Sequence, residues 1–323
     1  LRLSGQERAR NPGRDGSPIT GICAAAPLRP AKLRAGVTSK TDFQGTMGRI
    51  IWLASFPKSG NTWMRAFLHN LLRDPKGAAY DINRLGEFSF SDSTIHFYKQ
   101  YLTKPATEWT HQDVMATRWN VQRDIGRMST DDVFAKTHNA HVDFDGKPMI
   151  SMDLSAGAIY IVRNPLDVCI SLADHYACSI DEAIRILNDD TSGTPTNDQL
   201  VFEMHRTWSV HVFSWTKEPG PWLHVVRYED MLNKPMVAFS RVARFLGLNP
   251  PRDRIQRAID ASSFKSLRAQ EDEKGFRERS YKAEKFFRVG KAGQWRTELS
   301  KAQIDRVVES HKEQMERFGY WPL

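Results

Sequence analysis

Residues 50–63 read IIWLASFPKSGNTW, and the point where that stretch breaks decides the fold. Residues 50–56 are an apolar run containing two isoleucines, a tryptophan and a phenylalanine, and Pro57 ends it. A short run rich in β-branched and aromatic residues predicts a strand buried on both faces. From Thr62 onward, apolar residues recur at Trp63, Ala66, Phe67 and Leu71, the spacing of one face of a helix. The turn between strand and helix presents backbone N–H groups and a helix N-terminus, which together suit an anion. Gly60 lets the backbone approach closely, and Lys58 with the Ser59 and Thr62 hydroxyls adds donors. An ordinary strand–helix turn is the plainer reading of the same residues. The loop has no G-x-x-x-x-G-K-[ST], so the usual magnesium seat is missing, which counts against an ordinary kinase or NTPase.

Working outward, residues 133–137, 158–162 (AIYIV) and 223–228 (LHVVRY) read as further strands. Asn164 followed by Pro165 predicts a capped helix start, and residues 201–216 predict a helix before the last strand. Ser300 and Gln303 have capping-box spacing ahead of Ile304, Val308, His311, Met315 and Phe318 at helical intervals. Apolar strands alternating with amphipathic helices predict an α/β fold with a central parallel sheet covered on both faces. Residues 74–131 are a mixed, aromatic-rich region. Residues 188–198 (NDDTSGTPTND) read as a surface loop, and the charged stretch 265–290 as a mobile excursion.

The chain has 323 residues with 40% hydrophobic and 26% charged, a globular composition. No apolar run approaches the length of a membrane-spanning helix. Three scattered cysteines, Cys23, Cys169 and Cys178, cannot build a disulfide framework and suit a reducing compartment. Residues 1–46 hold eight basic and three acidic residues, so that segment carries +5 of the formal +8. Rich in Arg, Ala, Gly, Pro and Ser and without period, it reads as a segment outside the fold: upstream sequence, since Met47 directly precedes the first strand, or an Arg-rich targeting leader. Residues 47–323 are then one domain, and their mild basic excess suits a small anionic ligand as well as a polyanion.

FPKSGNTW resembles the phosphosulfate-binding loop of the soluble, cytosolic-type sulfotransferases that use 3′-phosphoadenosine 5′-phosphosulfate (PAPS). Further matches follow in order. Tyr160-Ile161-Val162-Arg163-Asn164-Pro165-Leu166-Asp167-Val168 with Ser171 resembles the family's 3′-phosphate motif, Arg and Ser eight positions apart. Lys136-Thr137-His138 resembles its catalytic K-T-H, and Arg227-Tyr228-Glu229-Asp230-Met231 its Y-E-D-[ML]. Residues 288–295 (RVGKAGQW) resemble its late R-K-G-x-x-G-[DN]-W segment. The resemblance spans residues 50 to about 320 and points to a bacterial-type member. This sequence departs from the pattern at Val289, where the family often has Lys, at Gln294, usually Asp, and in having no K-T-V-x-x-x-E dimer motif.

The resemblance implies a P-loop-like three-layer fold, a cytoplasmic setting and sulfuryl transfer from PAPS to a hydroxyl or amine of a small-molecule acceptor, leaving 3′-phosphoadenosine 5′-phosphate (PAP). It implies no metal and no nucleic-acid partner. Ser59, Gly60, Asn61 and Thr62 would cradle the 5′-phosphosulfate, and Lys58 would meet the charge growing on the leaving oxygen. Arg163, Ser171, Arg288 and Gly290 would hold the 3′-phosphate. Trp63 would stack on the adenine, with Tyr228 and Phe264 lining its pocket. Lys136 would assist, and His138 would be the general base. Taken singly, Arg163 also reads as a helix-face ion pair, Ser171 as an ordinary helix serine, His138 as a capping or core histidine and each aromatic as core packing. His138 and His141 form an H-x-x-H with no third ligand at spacing. The acceptor pocket falls on residues 85–120, 138–145, 176–200 and 265–285. An ATP-dependent small-molecule kinase and a nucleic-acid-binding protein acting through the basic leader are the alternative functions.

Overall fold

The computed structural model describes residues 48–74 and 79–322; the expected leader at 1–46 lies outside the described residues. Five parallel strands make the central sheet: β1 (Ile50–Ser55), β2 (Ser89–Ser91), β3 (Val133–Thr137), β4 (Ser155–Val162) and β5 (Leu223–Arg227). Their spatial order is β2-β3-β1-β4-β5. β1 is central because every one of its side chains is apolar or small enough to be buried. Its residues alternate between the two faces. Ile50, Trp52 and Ala54 join one core cluster with Tyr160, Val162, Trp208 and Trp215; Ile51 and Leu53 join the other with Met64, Phe67 and Phe239. Trp52 is in register with Ala135 on one side and Ala158 on the other, small neighbours that leave space for an indole on that face.

The helices follow local chemistry. α1 (Asn61–Arg73) begins at Gly60 and lays Met64, Phe67 and Leu68 on the sheet, with Phe67 stacked 3.9 Å from Phe239. α2 (His111–Gly126) opens with a capping box from Thr110 and Asp113. α3 (Pro165–Tyr176) starts as predicted: the Asn164 side chain accepts from Leu166 N–H and Pro165 takes the first position. α4 (Trp208–Thr216), α5 (Phe264–Lys274) and α6 (Lys301–Arg317) complete the shell around the site, and both halves of the Ser300–Gln303 capping box are present.

Three expectations need correction. The helix expected at 201–216 begins only at Trp208, because Glu203–Met204 pairs antiparallel with Gly193–Thr194. That pairing also makes part of 188–198 a hairpin wall rather than a simple surface loop. Residues 265–290, expected as a mobile excursion, instead pack against the domain. Their first half is α5, and Leu267, Phe276 and Phe287 bury with Ala66, Ile82 and Leu85 in a third apolar cluster. The mixed region 74–131 supplies the edge strand β2, whose three residues (SFS) are too few to show a period.

Candidate active site

Parallel strands point their carboxyl ends the same way, and ligand crevices in open α/β sheets open there. The ends of β1, β3 and β4 deliver Pro57, Lys58 and Gly60, His138 and Arg163 to one cavity of about 540 Å³. Lys58, Gly60, Asn61, Thr62, Trp63, Lys136, His138, Arg163, Ser171, Tyr228, Phe264, Arg288 and Gly290 all line it. Ser59 is the one sequence-selected residue that does not; it is buried beneath the loop with its Oγ unpartnered. His141 also lies apart from the wall, packed against Trp215 at 5.2 Å, so the structure does not bring H-x-x-H to a common centre.

The loop is held in a special backbone conformation. Lys58 has φ +65° and Gly60 has φ +106°. At Gly60 a Cβ would come within 2.8 Å of the Tyr228 ring, so the position requires glycine both for φ and for space. Arg163 clips the loop: its Nη1 donates to the Lys58 carbonyl at 2.9 Å and its Nη2 to the Lys291 carbonyl at 3.4 Å. Its guanidinium lies 4.3 Å from the Tyr228 ring centroid. Asn61 spends its side-chain amide on the Leu53 carbonyl at 2.8 Å, so its contribution to an anion is its backbone N–H at the helix start.

Lys58 and His138 sit at the mouth of this loop. Lys58 Nζ lies 3.5 Å from His175 Nδ1 and 4.2 Å from the Phe286 ring centroid. Burial, with Arg163 nearby, pulls its pKa down to about 8. His138 Nδ1 lies 2.8 Å from the Ser55 carbonyl. A carbonyl only accepts, so the proton is on Nδ1 and the lone pair is on Nε2. Burial first, then the neighbouring Lys136, pulls its pKa down to about 4, so the imidazole is neutral at ordinary pH. His211 braces this unit: Nε2 donates to the His138 carbonyl at 3.1 Å, and Tyr160 donates to its Nδ1 at 2.9 Å.

The late segment closes the far side. Asp167 accepts from Gly293 N–H at 2.6 Å and Trp295 N–H at 3.2 Å, which ties 290–295 to the start of α3. Arg288 reaches Gln294 Oε1 at 3.2 Å and Asp174 Oδ1 at 3.6 Å, so the amide at 294 takes up this arginine. Gly290 has φ +65°, and a Cβ there would fall 2.1 Å from the Phe264 ring.

Several wall residues escaped sequence reading. Glu278 meets Arg65 Nη1 at 2.7 Å and Lys136 Nζ at 3.6 Å; these cations hold its carboxyl far below the usual range despite burial. Asp174, His175, Tyr176, Glu203, His205 and Phe286 also line the cavity. They lie outside the motifs quoted above, although Tyr176, like Glu278, falls in a range expected to build the acceptor pocket, and no spacing rule marks them. Asp167 stood inside a quoted motif, and its signal was position: one turn into a helix beginning beside Arg163. The aromatics of 88–119 mostly pack into the core instead of reaching this cavity, as with Tyr98 and Trp109.

The site fits an anionic nucleotide. Ser59 Oγ, Asn61 Oδ1, Trp63 Nε1 and Arg163 Nε are buried around the loop without a protein partner. Lys58, Lys136, Arg163 and Arg288 bring positive charge to the same wall.

A family model described as a sulfotransferase domain matches residues 49–319. Cytosolic sulfotransferase 13 of Arabidopsis thaliana is 24% identical over 306 residues, covering 88% of this chain and 83% of its own. Sulfotransferase 1A1 of Canis lupus familiaris is 22% identical over 291 residues, covering 87% and 88%. Among solved structures, a mouse sulfotransferase complexed with PAP superposes with TM-score 0.54 at 17% identity, covering 83% of this chain and 84% of that one. Retinol dehydratase in complex with androsterone and inactive cofactor PAP gives 0.57 at 18%, covering 83% and 80%. At these identities the structural likeness speaks to the fold. The match over 49–319 takes in the loop, the K-T-H, the Arg163 motif and the late segment together, and the protein belongs to the sulfotransferase domain family.

Proposed function

We propose that this sulfotransferase takes its sulfuryl group from PAPS and passes it in line to a hydroxyl or amine of a small-molecule acceptor, releasing PAP. The observation that carries the reading is His138: a neutral imidazole with its Nδ1 proton committed to Ser55 and its Nε2 lone pair in a cavity walled by a phosphate-type loop. When bound, the donor supplies an activated S–O bond to a phosphate leaving group.

His138 Nε2 takes the acceptor's proton as the new S–O bond forms. Lys58, as the ammonium, faces the oxygen on which charge collects as the old S–O bond breaks. Lys136 holds a second cation beside the transferred group. Backbone N–H groups at Gly60, Asn61 and Thr62 orient the 5′ end. Arg163, Ser171, Arg288 and Gly290 surround the 3′-phosphate, and Trp63, Tyr228 and Phe264 enclose the adenine. Lysines suffice for electrostatic help because the sulfuryl unit is formally neutral, unlike a phosphoryl group.

The names of the curated relatives support a cytosolic setting, and among the described residues no helix is long and apolar enough to cross a membrane. The androsterone complex of retinol dehydratase supports a small organic acceptor. A single domain over 47–323 is supported by core clusters that draw on residues from both ends of that range.

The test is release of PAP from PAPS in the presence of a panel of phenols, alcohols and amines. Acceptor-dependent PAP release by the wild type and its collapse in His138→Ala are expected. Absence of any PAPS turnover across the panel, with turnover of ATP instead, would contradict the reading.

A further inference from the structure

Both lysines at the reacting end of the cavity meet the segment that follows α5. Lys58 Nζ lies 4.2 Å from the Phe286 ring centroid, and Lys136 Nζ lies 3.6 Å from Glu278 Oε2. The second contact is unexpected in a site for an anion, because a carboxylate on the wall repels an anionic donor.

Glu278 is held where it is by the chain on either side of it. Asn83 Nδ2 donates to the Gly275 carbonyl at 3.1 Å, and Asn83 Oδ1 accepts from Arg277 N–H at 2.8 Å. Further along, the Glu271 carboxylate accepts from Phe286 N–H and Phe287 N–H, each at 2.8 Å. Phe276 and Phe287 are buried in the third apolar cluster. From this segment Glu278 Oε2 meets Arg65 Nη1 at 2.7 Å. Arg65 is itself buried on α1, with Nε donating to Ser89 Oγ at 2.7 Å. Ser89 begins β2, which pairs with β3, the strand that carries Lys136. One carboxylate oxygen therefore stands between a fixed guanidinium and the Lys136 ammonium. Burial opposes the charge on Glu278, yet Lys136 and Arg65 hold its carboxyl far below the usual range, so it is ionised.

Lysine carries a point charge on a flexible four-carbon stem, so its ammonium has no fixed place unless something holds it. At 3.6 Å the attraction to Glu278 is between charges and is longer than a hydrogen bond. The ammonium keeps its N–H donors for another anion.

We propose that Glu278 is the positioning residue for Lys136, holding its ammonium at the cavity wall so that the N–H groups face the sulfuryl oxygens during transfer. The inference rests on the sulfotransferase reading of this cavity and adds to it a residue that acts through Lys136. Repulsion of the bound donor is offset by a cation already in place when charge shifts.

The experiment is a double-mutant cycle on Glu278 and Lys136, using PAPS and the fastest acceptor of the phenol, alcohol and amine panel. Single-turnover transfer is read, so that slow variants still give a rate. Glu278→Gln keeps the shape and removes the charge. Its rate is expected to fall about tenfold while PAP affinity, measured by isothermal titration, stays unchanged or tightens. In a Lys136→Ala background, itself slower than the wild type, the same change should cost less than twofold, since the group it acts through is gone. Glu278→Asp keeps the charge beside Arg65 and shortens the reach to Lys136, so its rate should lie between those of the wild type and Glu278→Gln. Should Glu278→Gln fail to melt cooperatively, Glu278→Asp carries the same cycle: slower with Lys136 present, silent without it. Equal losses at 278 with and without Lys136 would overturn the proposal and leave Glu278 a structural anchor for Arg65. A folded Glu278→Gln protein with weakened PAP binding, or a Lys136→Ala protein as fast as the wild type, would overturn it as well. A wild type that releases no PAP from PAPS overturns the sulfotransferase reading and this proposal with it, whereas normal wild-type turnover with additive losses overturns this proposal alone.

Discussion

A histidine whose Nδ1 proton is given to a backbone carbonyl has one free lone pair, and at His138 the fold points that lone pair at the cavity. We predict that His138→Ala lowers turnover by about 10²–10⁴ while leaving PAP affinity nearly unchanged, because the base faces the acceptor. The loss should be greater for an aliphatic alcohol than for a phenol, which gives up its proton readily. Near-normal rates on both would return His138 to a capping role. In the roles proposed for them, His138 and Lys58 also fix the pH profile. His138 must be neutral to accept a proton, so activity rises with pH through its pKa of about 4. Lys58 must be charged to serve the leaving oxygen, so activity falls as pH passes about 8. Lys58→Arg is expected to be slower and to lose the alkaline limb, since a guanidinium keeps its proton there. An unchanged alkaline limb in that variant would show that another group sets it.

At the scale of elements, Gly60 and Gly290 pack against neighbouring rings, those of Tyr228 and Phe264. Gly290 sits at φ +65° against Phe264, so Gly290→Ala forces the late segment away from the adenine side. PAP affinity should fall about tenfold or more, whereas Gly86→Ala, with open space around it, should leave it unchanged. Isothermal titration of both variants checks this. The strand–loop–helix unit at 50–73 was legible in sequence because its period switches at one proline and its strand is apolar throughout. Arg163 was legible because a strand end and an Asn-Pro helix start frame it. Glu203 and His205 were not, and Glu278 was reached only as part of the range 265–285. They reach the cavity through a two-residue hairpin pairing and through a segment that buries Phe276 and Phe287, and neither leaves a period to read. The role of Asn61 was legible only in part, since the sequence does not show that its amide is spent on Leu53.

The whole molecule carries a cost at acid pH. Burial holds His69 and His138 near 4, and His175, His211 and His311 near 3. Their unfolded values lie near 6.5, so between about 6.5 and 4 the unfolded chain binds more protons and stability falls as pH falls. Each fully shifted histidine contributes about 1.4 kcal/mol per pH unit across that window. Asp92, pushed up to about 6 by burial despite Arg118, acts in the opposite sense, one group against five. The melting temperature should therefore drop by several degrees from pH 7 to pH 5, and a flat profile would contradict the buried, neutral histidines. The central claim is that the cavity at the ends of β1, β3 and β4 binds a nucleotide through both a 5′ anion and a 3′-phosphate. The most direct measurement is the thermal shift of the full chain with PAP, AMP and ATP with magnesium, repeated for Arg163→Ala. At ~100-fold excess over its Kd, PAP should add about 2.7 kcal/mol of stability, with little from AMP or ATP, and Arg163→Ala should remove most of the PAP response. Equal shifts from all three nucleotides, or a PAP shift untouched by Arg163→Ala, would contradict it.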